Sequence, residues 1–181
     1  MKKINKTRFA VLGMLFNKPQ TGYEILQMMQ QSTANFWQES DASIYPMLKK
    51  LEKEGKVTSC SASTGRRERT IFTITPMGKK EFLAWMALPP EEQNYRSELL
   101  LKLFFGSYIS PKKMVKQLEL RLQAVHTERE HYRDVENTIL APLSNKDPYK
   151  LFGMLTLKYG IWHAKAELEW LTECIKILEK K

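Results

Sequence analysis

The apolar positions between residues 40 and 56 recur with helical spacing. Ile44, Leu48 and Leu51 follow one another at intervals of four and three residues, so they share one face of a helix. The other faces carry an aromatic side chain and three lysines: Tyr45, Lys49, Lys50 and Lys53. The pattern predicts a short helix over about residues 42–54, apolar on one side and basic on the other.

Both ends of this helix are marked in the sequence. Ser40 or Asp41 can cap its first turn, and Gly55 can adopt the left-handed conformation that ends a helix. Pro46 is expected close to the first turn, because a proline further inside a helix removes a hydrogen bond and clashes with the preceding turn.

The residues after Gly55 change from helical to extended character. Two runs are rich in β-branched and aromatic side chains: Val57 and Thr58, then Thr70, Ile71, Phe72, Thr73 and Ile74. Between the runs lie three residues that favour a turn, Ser63, Thr64 and Gly65. Three arginines come next: Arg66, Arg67 and Arg69. The pattern predicts a two-stranded wing whose tip suits phosphates or a minor groove.

Two shorter helices are predicted upstream. Residues 9–16 form an apolar run that ends at Asn17-Lys18-Pro19, and Thr21 can cap a second helix over about residues 22–31. Three helices followed by a β-hairpin is the order of a winged helix-turn-helix. In that arrangement the third helix enters the major groove, and the second braces against backbone phosphates.

The rest of the chain is predicted to be helical. Pro89-Pro90 interrupts the pattern, which predicts a winged helix-turn-helix domain over residues 1–88 and an all-helical domain over residues 89–181. Residues 96–108 are apolar on most faces, so we expect a helix buried by several neighbours. Ser110-Pro111 and Asp147-Pro148 each mark the start of a long helix, the second running to about Leu178.

These two long helices carry more apolar side chains than they can cover themselves. Arg129 and Glu136 interrupt the heptad-like spacing of the first helix, so we do not expect a regular two-stranded coiled coil. We expect a second copy of the chain to supply the missing cover as an isologous dimer. The residues predicted for dimerisation are Leu118, Leu122, Val125, Tyr132, Tyr159 and Trp162.

The net charge lies almost entirely in the first half. Residues 1–80 carry 14 Lys/Arg against six Asp/Glu, whereas residues 81–181 carry 15 against 14. A basic first half indicates a polyanionic partner. A lysine run by itself is usually only a solvated face, so the wing arginines and the helix order are needed for this interpretation.

Three segments together resemble the PadR-like family of transcriptional regulators: VLGMLFNKPQTGYEILQMM, IYPMLKKLEKEGKVTS and RTIFTITPMGKKEFLAWM. They span roughly residues 8–87, and the remainder resembles the helical C-terminal dimerisation domain of the longer members. The resemblance implies a mainly α fold and a homodimer that binds a palindromic operator in double-stranded DNA. The resemblance fits either a repressor or an activator; we expect a repressor that acts by promoter occlusion, with a small aromatic effector as a further partner.

The resemblance further implies roles for individual residues. Tyr23 would touch a phosphate, and Ser43, Tyr45 and Lys49 would approach bases and backbone. The wing contact is assigned to Arg66, Arg67 and Arg69 from their chemistry more than from the resemblance, because the wing of the family varies in length and charge. Packing against the second helix is the alternative for Tyr23, and packing within the core or against a second subunit is the alternative for Tyr45.

Several other classes of function find little support in the sequence. We find no nucleophile elbow, zincin motif, P-loop or dinucleotide fingerprint, so we expect neither an enzyme nor a cofactor. His126 and Glu130 are four residues apart and could share a helix face as metal ligands, with His131 beside them, but no other His or Cys is placed to complete the shell. The two cysteines form no metal spacing and no apolar run reaches bilayer length, so we expect a cytoplasmic protein, and the resemblance implies a bacterial one.

Two interpretations stay open beside the regulator. Trp85, Phe104, Phe105, Trp162 and Trp170 could line an effector pocket, although aromatics at helical spacing are more often core. The chain could also be a helical ligand-sensing or protein-interaction module that binds nucleic acid only through charge.

Overall fold

The computed structural model describes residues 5–34, 36–64, 67–92 and 95–180, with side chains except at 62–68. The chain forms two compact units, Met1–Glu92 and Gln93–Lys181. The first contains four helices and a small sheet: α1 Thr7–Met14, β1 Gln20–Thr21, α2 Gly22–Ser32, α3 Asp41–Lys53, β2 Val57–Thr64, β3 Arg67–Ile74 and α4 Pro76–Met86. The predicted order of three helices followed by a hairpin is confirmed.

Helix α3 begins one residue earlier than predicted, and this changes the position of its proline. Ser40 precedes the helix and Asp41 is its first residue, so Pro46 lies in the second turn. The helix continues through Pro46, and the missing N–H leaves one carbonyl of the first turn without its usual intrahelical donor. Gly55 ends the helix with a φ of 68°, as predicted.

The sheet has three antiparallel strands in the order β1-β3-β2. The wing strands β2 and β3 pair from Val57 opposite Ile74 to Thr64 opposite Arg67. The sequence did not predict β1, a two-residue strand that adds Gln20 opposite Phe72. The Gln20 side chain is buried and donates a hydrogen bond to the Met14 carbonyl, which satisfies the end of α1.

The core of the first unit lies between its helices and one face of the wing. Its buried side chains include Leu12, Ile25, Ile44, Leu48, Leu51 and Val57. Helix α4 closes this core through Trp85, whose ring stacks on Phe9 with centroids 4.5 Å apart. The recognition helix predicted from the sequence is thus held from behind by apolar contacts along its whole length.

The second unit is dominated by two long helices. Its elements are α5 Glu98–Phe104, a 3₁₀ turn Gly106–Tyr108, α6 Pro111–Val135, a π-helical turn Glu136–Leu140 and α7 Pro148–Leu178. Arg121 reaches Glu167, Tyr132 lies against Gly160, and Leu140 lies against Gly153, so α6 and α7 run antiparallel. Both predicted helix starts are confirmed, at Pro111 and Pro148.

Two expectations for this unit are corrected. Helix α5 was expected to be buried, but none of its residues is, and Phe104 is 81% exposed. Leu118, Val125 and Tyr132 were expected to contact a partner, but α7 of the same chain buries them almost completely. Their role is therefore to hold α6 against α7, because a buried side chain offers no surface to a second chain. Leu122 is partly buried in the same cluster.

Candidate nucleic-acid interface

Helix α3 presents a polar surface on the side opposite its core face. Ile44, Met47, Leu48 and Leu51 are at most 5% exposed, whereas Lys49, Lys50 and Lys53 are exposed. Within the described part of the chain, these three ammonium groups form no ion pair. The helix therefore carries free positive charge on a rigid support, which is what contact with a phosphate backbone requires.

Tyr45 lies at the edge of this surface, between α3 and α2. Its side chain is 41% exposed, and its ring packs over Gly22 at the start of α2. A Cβ atom at Gly22 would come within 2.6 Å of Tyr45 Cε1, so the ring occupies the space that a larger residue would fill. Tyr45 is thus braced by its neighbour while its outer edge remains accessible.

Ser43 occupies the first turn of α3, where its hydroxyl already has partners. Ser43 Oγ donates to Glu39 Oε2 at 2.5 Å, lies 2.8 Å from the Ser40 carbonyl, and accepts from the Ser40 N–H at 3.0 Å. Glu39 also accepts from the indole of Trp37 at 2.9 Å. A contact between Ser43 and DNA remains a prediction, and it would require an exchange of these hydrogen bonds.

Helix α2 starts with a capping box formed by Thr21 and Glu24. The Glu24 backbone N–H donates to Thr21 Oγ1 at 3.2 Å, and the Thr21 N–H donates to Glu24 Oε2 at 2.8 Å. Hydrogen bonds from the Thr21 backbone and hydroxyl lower the pKa of Glu24. Tyr23 beside it is 60% exposed and accepts a hydrogen bond from Gln27 Nε2 at 3.0 Å. This phenol is accessible, as a phosphate contact would need.

The wing carries one arginine whose side chain the structure describes. Arg69 is exposed on β3, where it pairs with Ala62 of β2. Arg67 is described only through its backbone, which begins β3, and Arg66 lies outside the described residues. The wing contact predicted for these two side chains therefore remains a prediction.

Two other cations of the first unit, Arg8 and Lys56, are neutralised by carboxylates. Arg8 of α1 donates to both carboxylate oxygens of Glu81 on α4, and its Nη2 lies 2.5 Å from Glu54 Oε2 directly after α3. Lys56 Nζ lies 3.0 Å from Glu81 Oε2. We call these four residues the Arg8 cluster. Two positive and two negative charges balance in it, so it adds little to the field that attracts DNA.

Within the described residues, neither the candidate metal ligands nor the aromatic residues proposed for an effector pocket come together as one site. No group of three or more His, Cys, Asp or Glu could hold a metal ion in residues 5–34, 36–64, 67–92 and 95–180. Trp85 is committed to the core of the first unit, and Trp162 is exposed on α7. Trp170 lines an open groove of about 340 Å³ in the second unit with Tyr95, Leu99 and His163. No helix of the described residues is long and apolar enough to cross a membrane.

The fold defines a winged helix-turn-helix protein with a helical second unit, and comparison with known proteins finds a family domain in each unit. The model for the PadR-like family of transcriptional regulators matches residues 11–84, and the model for the virulence activator alpha C-terminal domain matches residues 95–179. The first unit thus contains a PadR-like family domain, and the second contains a virulence activator alpha C-terminal domain.

Individual relatives are similar to this protein over nearly the whole length of the chain. The negative transcriptional regulator PadR of Bacillus subtilis is 27% identical over 179 residues, which is 96% of this chain and 97% of that protein. Its crystal structure in complex with operator DNA has a TM-score of 0.85 at 24% identity, over 96% of this chain and 99% of that one. Its structure with p-coumaric acid has a TM-score of 0.80 at 24% identity, over 97% and 99%.

Proposed function

We propose that this protein is a homodimeric transcriptional repressor that binds a palindromic operator in double-stranded DNA and acts by promoter occlusion. The observation that carries the proposal is the exposed basic face of α3, seated on a fully buried apolar face. Tyr45 and Lys49 meet bases and phosphates in the major groove, with Tyr23 and Ser43 at the edge of the contact. The wing arginines Arg66, Arg67 and Arg69 anchor the flanking backbone.

The dimer contact is proposed to lie on α7. Five large apolar side chains recur on one face of this helix and are exposed in the single chain: Leu151, Phe152, Leu155, Tyr159 and Trp162. Tyr159 is 69% exposed and Trp162 71%. A monomer rarely exposes an apolar stripe of this extent, whereas an isologous dimer would cover it twice. Two recognition helices about 34 Å apart would then read successive major grooves.

The remaining parts of the proposal follow from this assignment. Residues 1–88 read DNA and residues 89–181 form the dimer, without an enzymatic activity or a cofactor. The protein acts in the bacterial cytoplasm, where its operator is located. A small aromatic effector releases the DNA, in line with the p-coumaric acid bound to Bacillus subtilis PadR. Such an effector would shift the population towards dimers whose recognition helices no longer match the operator spacing.

A fluorescence-anisotropy titration tests the assignment. The full-length protein is titrated against the DNA immediately upstream of its own gene, against a duplex selected from a randomised pool, and against a shuffled duplex, at two salt concentrations. We expect a preference of about a thousandfold for the upstream or the selected duplex over the shuffled one. Equal affinity for all three duplexes, with a steep dependence on salt, would contradict a sequence-specific regulator.

The alternative is a ligand-sensing or protein-interaction module that binds nucleic acid only through charge. The exposed apolar stripe of α7 would serve such a module as well as it serves a dimer. This alternative function predicts normal self-association together with equal affinity for every duplex at the same salt concentration. The same titration therefore separates the two functions.

A further inference from the structure

The end of α3 is tied to two other helices by one partly buried side chain. Arg8 of α1 is only 14% exposed and donates both to Glu54, directly after α3, and to Glu81 on α4. Its double contact with the Glu81 carboxylate has the fork geometry that fixes both partners in orientation. Arg8 therefore joins the last turn of α3 to the two helices behind it.

The backbone beside the Arg8 cluster is held just as closely. The Thr75 N–H donates to the Lys56 carbonyl at 3.0 Å, and Thr75 Oγ1 donates to the Gly55 carbonyl at 2.8 Å. Gly78 of α4 packs directly against the Lys56 carbonyl, where a Cβ atom would collide with that oxygen. The turn between α3 and β2 is thus fixed to the start of α4 on one side and to Arg8 on the other.

Charge balance separates this cluster from the DNA-facing cations. Arg8 and Lys56 are paired with Glu54 and Glu81, and hydrogen bonds to Glu81 raise the pKa of Arg8 further. A guanidinium that is mostly buried and shared by two carboxylates has little left to offer a phosphate. Any effect of Arg8 on DNA binding must therefore pass through the position of α3.

A small rotation at this end of α3 would be enlarged at the other end. The helix has 13 residues and is about 20 Å long, at about 1.5 Å per residue. A tilt of about 5° about its C-terminal end would move its first turn by roughly 1.7 Å over that length. Hydrogen bonds to base edges tolerate only a few tenths of an ångström. Phosphate contacts through flexible lysines adapt far more easily.

We infer that Arg8 is a positioning residue for sequence recognition, because it clamps the C-terminal end of the recognition helix to α1 and α4 without touching DNA. This inference rests on the proposed function. Loss of the clamp reduces the preference for the operator and leaves charge-driven binding unchanged. Arg8 thus sets specificity through the position of α3 and not through a contact of its own with DNA.

The test compares Arg8→Gln with Lys6→Gln in the full chain. Lys6 lies two residues earlier, carries the same charge and pairs with Glu91 at 3.0 Å, outside the cluster. Each variant is titrated against the duplex selected from a randomised pool and against a shuffled duplex, at three salt concentrations. Circular dichroism melting sets an assay temperature at which every variant is folded. Arg8→Lys keeps the charge but cannot reproduce the fork, and Glu54→Gln replaces Arg8→Gln if that variant does not fold.

For Arg8→Gln we expect the ratio of the two affinities to fall about tenfold or more, the equivalent of about 1.4 kcal/mol. Affinity for the shuffled duplex should stay within about twofold of wild type, and the salt slope should be unchanged. Arg8→Lys should give an affinity ratio between those of wild type and Arg8→Gln. Lys6→Gln should keep the ratio of wild type. An equal loss on both duplexes, a lower salt slope or an unchanged ratio would overturn the inference. Wild-type protein that does not distinguish the duplexes would instead refute the proposed function.

Discussion

The ring of Tyr45 on α3 lies directly over Gly22 at the first position of α2. A Cβ atom at Gly22 would come within 2.6 Å of Tyr45 Cε1 and 3.2 Å of Leu48 Cδ1. The two helices of the helix-turn-helix therefore approach each other through a glycine and an aromatic ring. Because the ring is partly exposed at its other edge, it can move outward more easily than the backbone can.

Gly22→Ala should displace Tyr45 without unfolding the domain. Overpacking at this contact should cost about 1–3 kcal/mol of the free energy of unfolding, towards the lower end because a side chain can yield. The displaced ring should lower the affinity for operator DNA more than the affinity for a shuffled duplex. Chemical denaturation and anisotropy titration measure the two effects separately.

The double variant Gly22→Ala, Tyr45→Ala tests whether the ring is the cause. Alanine is a better helix former than glycine by roughly 0.5–1 kcal/mol, so without the ring the substitution at Gly22 should be neutral to slightly stabilising. If Gly22→Ala costs the same free energy in both backgrounds, the contact with Tyr45 does not determine the effect.

Lys49→Ala should lower the dependence of DNA binding on salt. Lys49 is exposed on α3, and removing one lysine–phosphate interaction should reduce the slope of log K against log salt by about 0.9. Affinity should fall similarly for the operator and for a shuffled duplex. Lys165→Ala on α7 is the matched control, because Lys165 is exposed in the other unit with only a distant carboxylate, Glu169, at 3.9 Å. Equal slopes for the two variants would argue against a phosphate contact at Lys49.

Trp162→Gln should weaken the dimer. Trp162 is the largest exposed side chain of the α7 stripe, and large aromatic anchors carry most of the free energy of association in protein interfaces. Analytical ultracentrifugation should show a shift towards monomer, by at least about tenfold in the dimer dissociation constant. Lys165→Gln one turn later should leave the dimer unchanged. A dimer that survives Trp162→Gln would place the subunit contact elsewhere.

Capping and proline patterns in the sequence predicted most of the helices and strands. They did not predict whether an apolar face is covered by the same chain or by a partner. Ser110-Pro111, Asp147-Pro148 and Gly55 mark real helix ends, since capping and proline geometry depend only on neighbours in sequence. Strand β1 was missed because its two residues are strands only through pairing with Phe72 and Ile71, about fifty residues later.

Burial in the second unit was the weakest prediction for a related reason. The apolar residues of α5 have the composition of a core, yet Leu100, Leu101 and Phe104 are exposed in a single chain. Leu118, Val125 and Tyr132 have the spacing of an intermolecular seam, yet α7 covers them. Apolar periodicity specifies that a face must be covered, and it cannot distinguish the chain's own helix from a partner.

The pH dependence of stability should contain a contribution from Glu81. Hydrogen bonds from Arg8 hold the pKa of Glu81 below its ordinary value of 4.5, with a smaller contribution from Lys56. A carboxyl whose pKa is lower in the folded state stabilises the fold at pH values above its unfolded pKa. That stabilisation is lost as the pH falls through the folded pKa. We therefore expect the melting temperature to decline on acidification from about pH 5 to about pH 3.

Glu81→Gln should make this decline shallower, because the variant has no Glu81 proton to take up. At pH 7 the variant should be less stable than wild type, and the melting temperatures of the two proteins should converge as the pH falls. Glu98→Gln is the matched control: Glu98 pairs with Lys102 at 2.6 Å and its pKa is also lowered, but the pair is exposed to solvent. If Glu81→Gln and Glu98→Gln change the decline of the melting temperature at acidic pH equally, the partly buried contact with Arg8 does not stabilise the winged unit.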